Sequence, residues 1–174
     1  MIIMGLDISM RATGVAVVDS NYRLLHQQVL KTDPGQGVSE IYCIDRAHKQ
    51  VDQLLGIIEA YRPDRFIVEG AAYGVLTAAK SNAGMLHRMS NTACQLWQVT
   101  GIIKYAVRRA SDSSMVIMSP TTVKKHITGS GKADKKQMLA AVKEKYGVAF
   151  TDNNACDAFA LCVCHLDGVP GVVK

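Results

Sequence analysis

Three acidic residues stand where apolar strands or helices ordinarily carry none. Asp7 closes the run Ile2-Ile3-Met4-Gly5-Leu6, and Glu69 closes Arg65-Phe66-Ile67-Val68. Asp157 lies inside Ala155-Cys156-Asp157-Ala158-Phe159-Ala160-Leu161. A carboxylate at the edge of a core costs free energy unless positive charge offsets it. Three of them converging on one point imply a bound cation, and carboxylate oxygens with open coordination positions suit Mg2+ or Mn2+. Taken singly, each acid also fits a structural role: Asp7 in a strand-end turn, Glu69 in a salt bridge, Asp157 in a first helical turn. Asn154 sits three residues before Asp157, so the two share a helix face and can serve one metal. Its carbonyl oxygen can ligate a hard cation but brings no charge. The simpler reading makes Asn154 a helix-start residue, with Asp152 or Asn153 as the cap.

These side chains need elements that bring them together. Met1–Asp7 reads as a buried strand, Ser9–Ala12 as a turn and Thr13–Asp19 as a second strand. An Asp19-Ser20-Asn21 turn leads into a third strand over Tyr22–Thr32, completing an antiparallel meander. Ser39 can cap a helix running to about Tyr61, with Ile41, Ile44, Val51, Leu54, Leu55 and Ile58 on one face. Arg62-Pro63-Asp64 ends it before the strand that carries Glu69. A long helical region follows from about Ala78 or Lys80 to Arg109. Its apolar stripe is Met85, Leu86, Met89, Leu96, Trp97, Ile103 and Val107, which fits core or a dimer interface. Gly84 and Gly101 weaken it locally and suggest close helix packing. Met115–Met118 is a fifth strand, stopped by Ser119-Pro120. Thr121–Ile127 is a short helix, Ala133–Tyr146 another, and the last begins near Asp152–Asn154 and runs to about Leu166.

The order predicts an α/β fold in one domain over residues 1–174. Three meander strands and two parallel strands make a mixed five-stranded sheet flanked by helices. There Asp7 and Glu69 would end neighbouring strands, and Asp157 would face them from a helix. Three carboxylates so placed can hold two cations about 4 Å apart, the spacing of two-metal phosphoryl transfer. One ion activates a water and the other stabilises the leaving 3′ oxygen, so the reaction implied is phosphodiester hydrolysis.

Composition is that of an ordinary globular protein. Of 174 residues, 48% are hydrophobic and 20% charged, ordinary for a chain that buries a real core. No apolar run approaches the roughly 20 residues of a membrane span, and no basic segment precedes an apolar stretch with a cleavage site. A cytoplasmic location is therefore expected. Five cysteines, an odd number without CxxC spacing, argue against zinc and against a disulfide framework. They read as small core hydrophobes in a reducing compartment. The net charge of +5 permits a polyanionic partner. Its excess is local: Lys124, Lys125, Lys132, Lys135, Lys136, Lys143 and Lys145 fall in one short stretch. That stretch fits a solvated helix face as well as it fits phosphate binding. Within it, Thr128-Gly129-Ser130-Gly131-Lys132 precedes a helix and can cradle a phosphate on backbone N–H groups. The spacing is not that of a P-loop.

Together these pieces resemble the RuvC family of Holliday junction resolvases, which have the RNase H-like fold. The matching residues are Gly5-Leu6-Asp7-Ile8-Ser9 with Thr13-Gly14, then Ile67-Val68-Glu69. Ser119-Pro120-Thr121-Thr122-Val123-Lys124 and Thr128-Gly129-Ser130-Gly131-Lys132-Ala133-Asp134-Lys135 follow, and Asp157 through His165 closes the set. The blocks stand in family order over nearly the whole chain.

The resemblance implies a homodimer that resolves four-way DNA junctions by paired nicks with Mg2+, or Mn2+ in its place. Asp7, Glu69 and Asp157 would then be catalytic metal ligands, with Asn154 at the family's fourth ligand position. Lys124 and Lys135 match basic residues that contact DNA near the active site. Tyr73 is the nearest candidate for an aromatic at the branch point, one position out of register, where stacking on a base contributes about 1–3 kcal/mol. Asn154 is the departure, since the family carries Asp or His there. As a natural variant or an engineered replacement, it predicts weaker metal binding and slower cleavage with DNA binding retained. The compact length and the loop Gly70–Asn82 look more like a phage or otherwise divergent member, acting in a bacterial cell or a phage-infected host on several branched structures.

Three rivals remain. A junction-binding protein that no longer cleaves would carry Asn154 as its natural state. The Asp7-Ile8-Ser9 and Thr13–Asp19 segments also look like the first phosphate motif of actin-like and sugar-kinase ATPases, which need two lobes. An RNase H-like nuclease for RNA–DNA hybrids or a transposition enzyme is the third; the lysine-flanked glycine turn and short C-terminus argue against both.

Overall fold

A computed structural model describes residues 1–32, 40–70 and 91–173. The elements are β1 (Ile2–Asp7), β2 (Ala12–Asp19), β3 (Leu24–Lys31), α1 (Glu40–Tyr61), β4 (Arg65–Glu69) and α2 (Asn91–Ala110). They continue with β5 (Ser114–Met118), α3 (Pro120–Thr128), α4 (Lys135–Tyr146), α5 (Asn153–Leu166) and β6 (Val172–Val173). The strand order is β3-β2-β1-β4-β5-β6. β1, β2 and β3 form the antiparallel meander, β4 and β5 run parallel to β1, and β6 returns antiparallel on β5. The five expected strands are present, extended by the two-residue β6.

Side-chain alternation sorts the sheet into two faces. Ile3, Ala16, Val18, Ile67 and Val116 point into a core shared with α3, α4 and α5. Met4, Leu6, Val15, Val17, Phe66 and Val68 point into a second core beneath α1 and α2. The same alternation decides where the acids go. Leu6 pairs with Val68 across the parallel β1–β4 ladder, and both face α1 and α2. Asp7 and Glu69, one residue on in each strand, therefore turn to the α5 side.

Helix α5 lies directly on β1 and β2 because two glycines let it. A Cβ on Gly5 would stand 1.9 Å from the Ala158 carbonyl oxygen, and one on Gly14 would stand 2.0 Å from that of Asn154. The helix can come this close because its face is small as well as apolar: Ala155, Cys156, Ala158, Ala160 and Cys162 are all buried. Asp152 caps it, its carboxylate accepting the Asn154 N–H at 2.8 Å.

Several expected details shift. The buried stripe of α1 is Cys43, Ala47, Gln50, Leu54, Ile57 and Ile58; Ile44 and Leu55 are exposed and line an open groove with Val51, Ile102 and Tyr105 of α2. Trp97, assigned to a core or interface stripe, is exposed on α2. Among the described residues, none from another element comes within 4 Å of a Cβ built on Gly101. Met85, Leu86, Met89, Gly84 and the loop Gly70–Asn82 beyond Gly70 lie outside the described residues. Four cysteines are buried, whereas Cys94 is exposed. Among the described residues no helix is long and apolar enough to cross a membrane.

Candidate active site

The ends of β1 and β4 and the second turn of α5 bring the three acids to one place. Glu69 and Asp7 share a hydrogen bond, and Asp157 lies close enough to both to raise Glu69 and be raised by Asp7. Burial is the first cause in each case: it raises Asp7, pushes Glu69 up to about 8 and Asp157 up to about 6. The charge of Asp7 adds to the rise at Glu69 and Asp157. The pair is thus disposed to share a proton, the ordinary resolution when two carboxylates crowd one site.

Lys124 of α3 and Lys135 of α4 oppose this charge. Lys124 acts on Glu69 and Asp157, and Lys135 on Asp7 and Asp157. Two residues assigned by sequence to DNA contact therefore stand beside the carboxylates. Their helices are fixed locally. Pro120 opens α3 and Gly129, at φ +82°, closes it. At α4, Asp134 and Gln137 form a reciprocal capping box, both bonds 2.8 Å.

The intervening turn is built differently from a phosphate cradle. The N–H groups of Gly129, Ser130, Lys132 and Ala133 are all engaged within the chain, by the Lys125 carbonyl, the Thr128 hydroxyl, the Ser130 hydroxyl and the Ser130 carbonyl. Asp134 occupies the helix N-terminus that an anion would need. Gly131 is required for packing, since a Cβ there would lie 2.6 Å from the Thr121 methyl. The side chains of Lys132 and Lys135 are exposed on this turn and at the start of α4. Tyr73 lies outside the described residues.

Asn154 lies one turn before Asp157 on α5. Its Nδ2 donates to the Ala12 carbonyl at 2.9 Å, leaving the side-chain oxygen as its remaining ligating atom. An ionised Asp at this position would have no proton to give Ala12. Among the described residues, no three His, Cys, Asp or Glu side chains stand as a formed metal cage. The donor set nevertheless fits a hard divalent cation. Three half-buried carboxylates crowd one another, two of them linked by a hydrogen bond, and a cation would relieve that repulsion.

The sequence reading missed one group that holds this end of the sheet. Gln50 and Thr13 are fully buried. Gln50 Nε2 donates to the carbonyls of Ser9 and Met10 at 3.2 and 3.3 Å, and its Oε1 accepts from the Thr13 hydroxyl. The available signal was a glutamine on the i, i+3, i+4, i+7 stripe between Cys43, Ala47 and Leu54.

Comparison with known proteins bears on this arrangement. The family model described as crossover junction endodeoxyribonuclease RuvC matches residues 3–165. A protein of that name from Wolbachia sp. subsp. Brugia malayi is 28% identical, covering 94% of this chain and 93% of its own. Its namesake from Clavibacter michiganensis is 30% identical over 93% of this chain and 74% of its own. The structure of Thermus thermophilus RuvC in complex with Holliday junction substrate superposes with a TM-score of 0.75 at 22% identity. That likeness covers 100% of this chain and 99% of the Thermus chain.

Proposed function

Because the chain belongs to the RuvC family of crossover junction endodeoxyribonucleases, we propose that it is a structure-selective endonuclease. It cuts four-way DNA junctions, and other branched DNA, by metal-dependent hydrolysis of a phosphodiester. The observation that carries this reading is the convergence of Asp7, Glu69 and Asp157 beside Lys124 and Lys135.

Asp7, Glu69 and Asp157, with the Asn154 side-chain oxygen, would hold divalent cations, Mg2+ or Mn2+. When bound, such ions supply Lewis-acid stabilisation of the charge that develops at the phosphate. The chain's own residues do the rest. The lysine ammonium groups draw the DNA backbone to the carboxylate end of the sheet and keep phosphate and carboxylate from repelling each other. Lys132, on the turn shaped by Gly129 and Gly131, extends that basic edge along the strand. Tyr73 is proposed to stack on a base at the branch point. Before DNA or metal arrives, a proton shared by the Asp7–Glu69 pair spares the site one negative charge.

Paired nicks need two such domains, so a homodimer is part of the proposal. The exposed α1–α2 groove, with Tyr105 at 68% and Ile44 at 55% exposure, is a suitable face. The family assignment sets aside the ATP-binding reading. A junction binder that does not cleave remains the second reading, favoured by one observation: the neutral Asn154 amide has its own partner in Ala12.

The test is nicking of a synthetic four-way junction and an equal-length linear duplex, with Mg2+ or Mn2+, by this chain and by its Asn154→Asp form. Junction cleavage by either form, with the duplex spared, is the expected result, faster in Asn154→Asp. Tight junction binding without cleavage by either form would overturn the nuclease reading in favour of the binder.

A further inference from the structure

We infer that Gln50, on the helix layer opposite α5, is a positioning residue for the site: it fixes the turn that follows Asp7, and through it the Asp7 carboxylate. The inference rests on the nuclease reading above. The chain from Ile8 to Arg11 leaves β1 directly after Asp7 and returns as β2 at Ala12. A short irregular segment here would leave the carboxylate on a loose strand end.

The turn is tied from both faces of the sheet. Internally, the Ser9 N–H donates to the Thr13 hydroxyl at 3.1 Å and the Ala12 N–H to the Ser9 hydroxyl at 2.9 Å. From below, Gln50 holds the Ser9 and Met10 carbonyls and the Thr13 hydroxyl. From above, Asn154 holds the Ala12 carbonyl. Carbonyl oxygens can only accept, so the Gln50 amide has one orientation that satisfies all three partners.

A buried amide on an otherwise apolar stripe carries a desolvation cost that an apolar residue would not. Its three bonds offset that cost only in this geometry, so the amide specifies one conformation of the turn. A side chain of the same size without the amide would fill the space, strip the Met10 carbonyl of its donor and leave the Ser9 carbonyl with the Thr13 hydroxyl alone. The loss should therefore fall on the placement of Asp7, where even a small displacement weakens a site built on fixed geometry.

The test compares Gln50→Met, close in volume, with Thr13→Val, which removes only the hydroxyl, and Thr13→Ser, which restores it. Three measurements are made on each, in this chain and in its Asn154→Asp form: amide hydrogen exchange at Ser9 and Ala12, Mn2+ affinity by electron paramagnetic resonance, and junction kcat and KM. Gln50→Met and Thr13→Val should exchange at those amides at least tenfold faster. Mn2+ affinity should weaken at least threefold, and kcat should fall while KM for the junction holds. Thr13→Ser should stay near the unaltered chain on all three. A folded Gln50→Met or Thr13→Val with a lower Tm but unchanged exchange and Mn2+ affinity would make the clamp mere packing and overturn the inference. Mn2+ binding by neither unaltered form would overturn the metal-site reading, and the positioning role with it; intact binding with unchanged exchange overturns the role alone.

Discussion

Glu69 and Asp7 share a hydrogen bond across the parallel pairing of β4 and β1. Neither residue reaches the other by chance: each follows one member of the Leu6–Val68 pair, so the ladder sets them side by side on one face. A carboxyl pair that must share a proton is a site held in a costly form, and the consequences are measurable.

The first concerns pH and the metal-free protein. Glu69 is raised from an ordinary 4.5 to about 8. A raised acid contributes its stability below the unfolded value and loses it as pH climbs through the folded one. In chelator, Glu69→Gln should therefore melt higher than the unaltered chain at pH 9, by about 4 °C, and the two should converge near pH 5. Added Mg2+ or Mn2+ should raise Tm of the unaltered chain more than that of Glu69→Gln. Thermal melts at three pH values check both.

Glycines provide the second. At Gly5 a methyl would meet the Ala158 backbone oxygen at 1.9 Å, so Gly5→Ala must push α5 off the sheet. A loss of about 3 kcal/mol or more is expected, with any folded remainder inactive because Asp157 moves with the helix. Gly101→Ala, in a helix interior, meets nothing within 4 Å among the described residues and should gain up to about 1 kcal/mol. Urea unfolding of the two variants reads this contrast directly.

Lysines beside the carboxylates give the third. Lys124→Ala and Lys135→Ala should each weaken junction binding and lower the slope of log affinity against log salt by about 1. Both should act equally on junctions of different sequence, since a phosphate contact carries no base information. Fluorescence anisotropy across a salt series settles it.

The fourth lies at the other end of the sheet. Asp167, just past α5, accepts from the Tyr22 hydroxyl and His126 Nε2 at 2.7 Å each and from the Tyr146 hydroxyl at 3.1 Å. It thereby ties the β2–β3 turn, α3 and α4 together. Burial raises Asp167, but the His126 and tyrosine hydrogen bonds outweigh it and hold the carboxyl below its ordinary value. A lowered acid contributes stability above the unfolded value and loses it as pH falls through the folded one. Asp167→Asn should cost about 1 kcal/mol at pH 7, a gap that closes in acid, as denaturation at pH 7 and pH 3 would show.

What the sequence determined by itself was the set of elements and the identity of the acids. Strands and helices here are announced by period and punctuation: Ile2–Leu6 and Phe66–Val68 are apolar runs ended by an acid, and Ser119-Pro120 stops β5 where α3 begins. Local chemistry suffices for that. Tertiary structure decided everything that depends on which face meets which. The choice of stripe on α1 was misread because Ile44 and Leu55 are as apolar as the residues that are buried, and only packing against the sheet selects Cys43, Ala47 and Gln50. Gly5 and Gly14 could be quoted as a motif, but their role is to let a helix about 150 residues away rest its backbone on theirs. The glycine turn before α4 reads as a phosphate cradle, yet the N–H groups of Gly129, Ser130, Lys132 and Ala133 are engaged within the chain. Hydrogen bonding, unlike hydrophobic period, is settled by partners distant in sequence, and those partners exist only once the chain has folded.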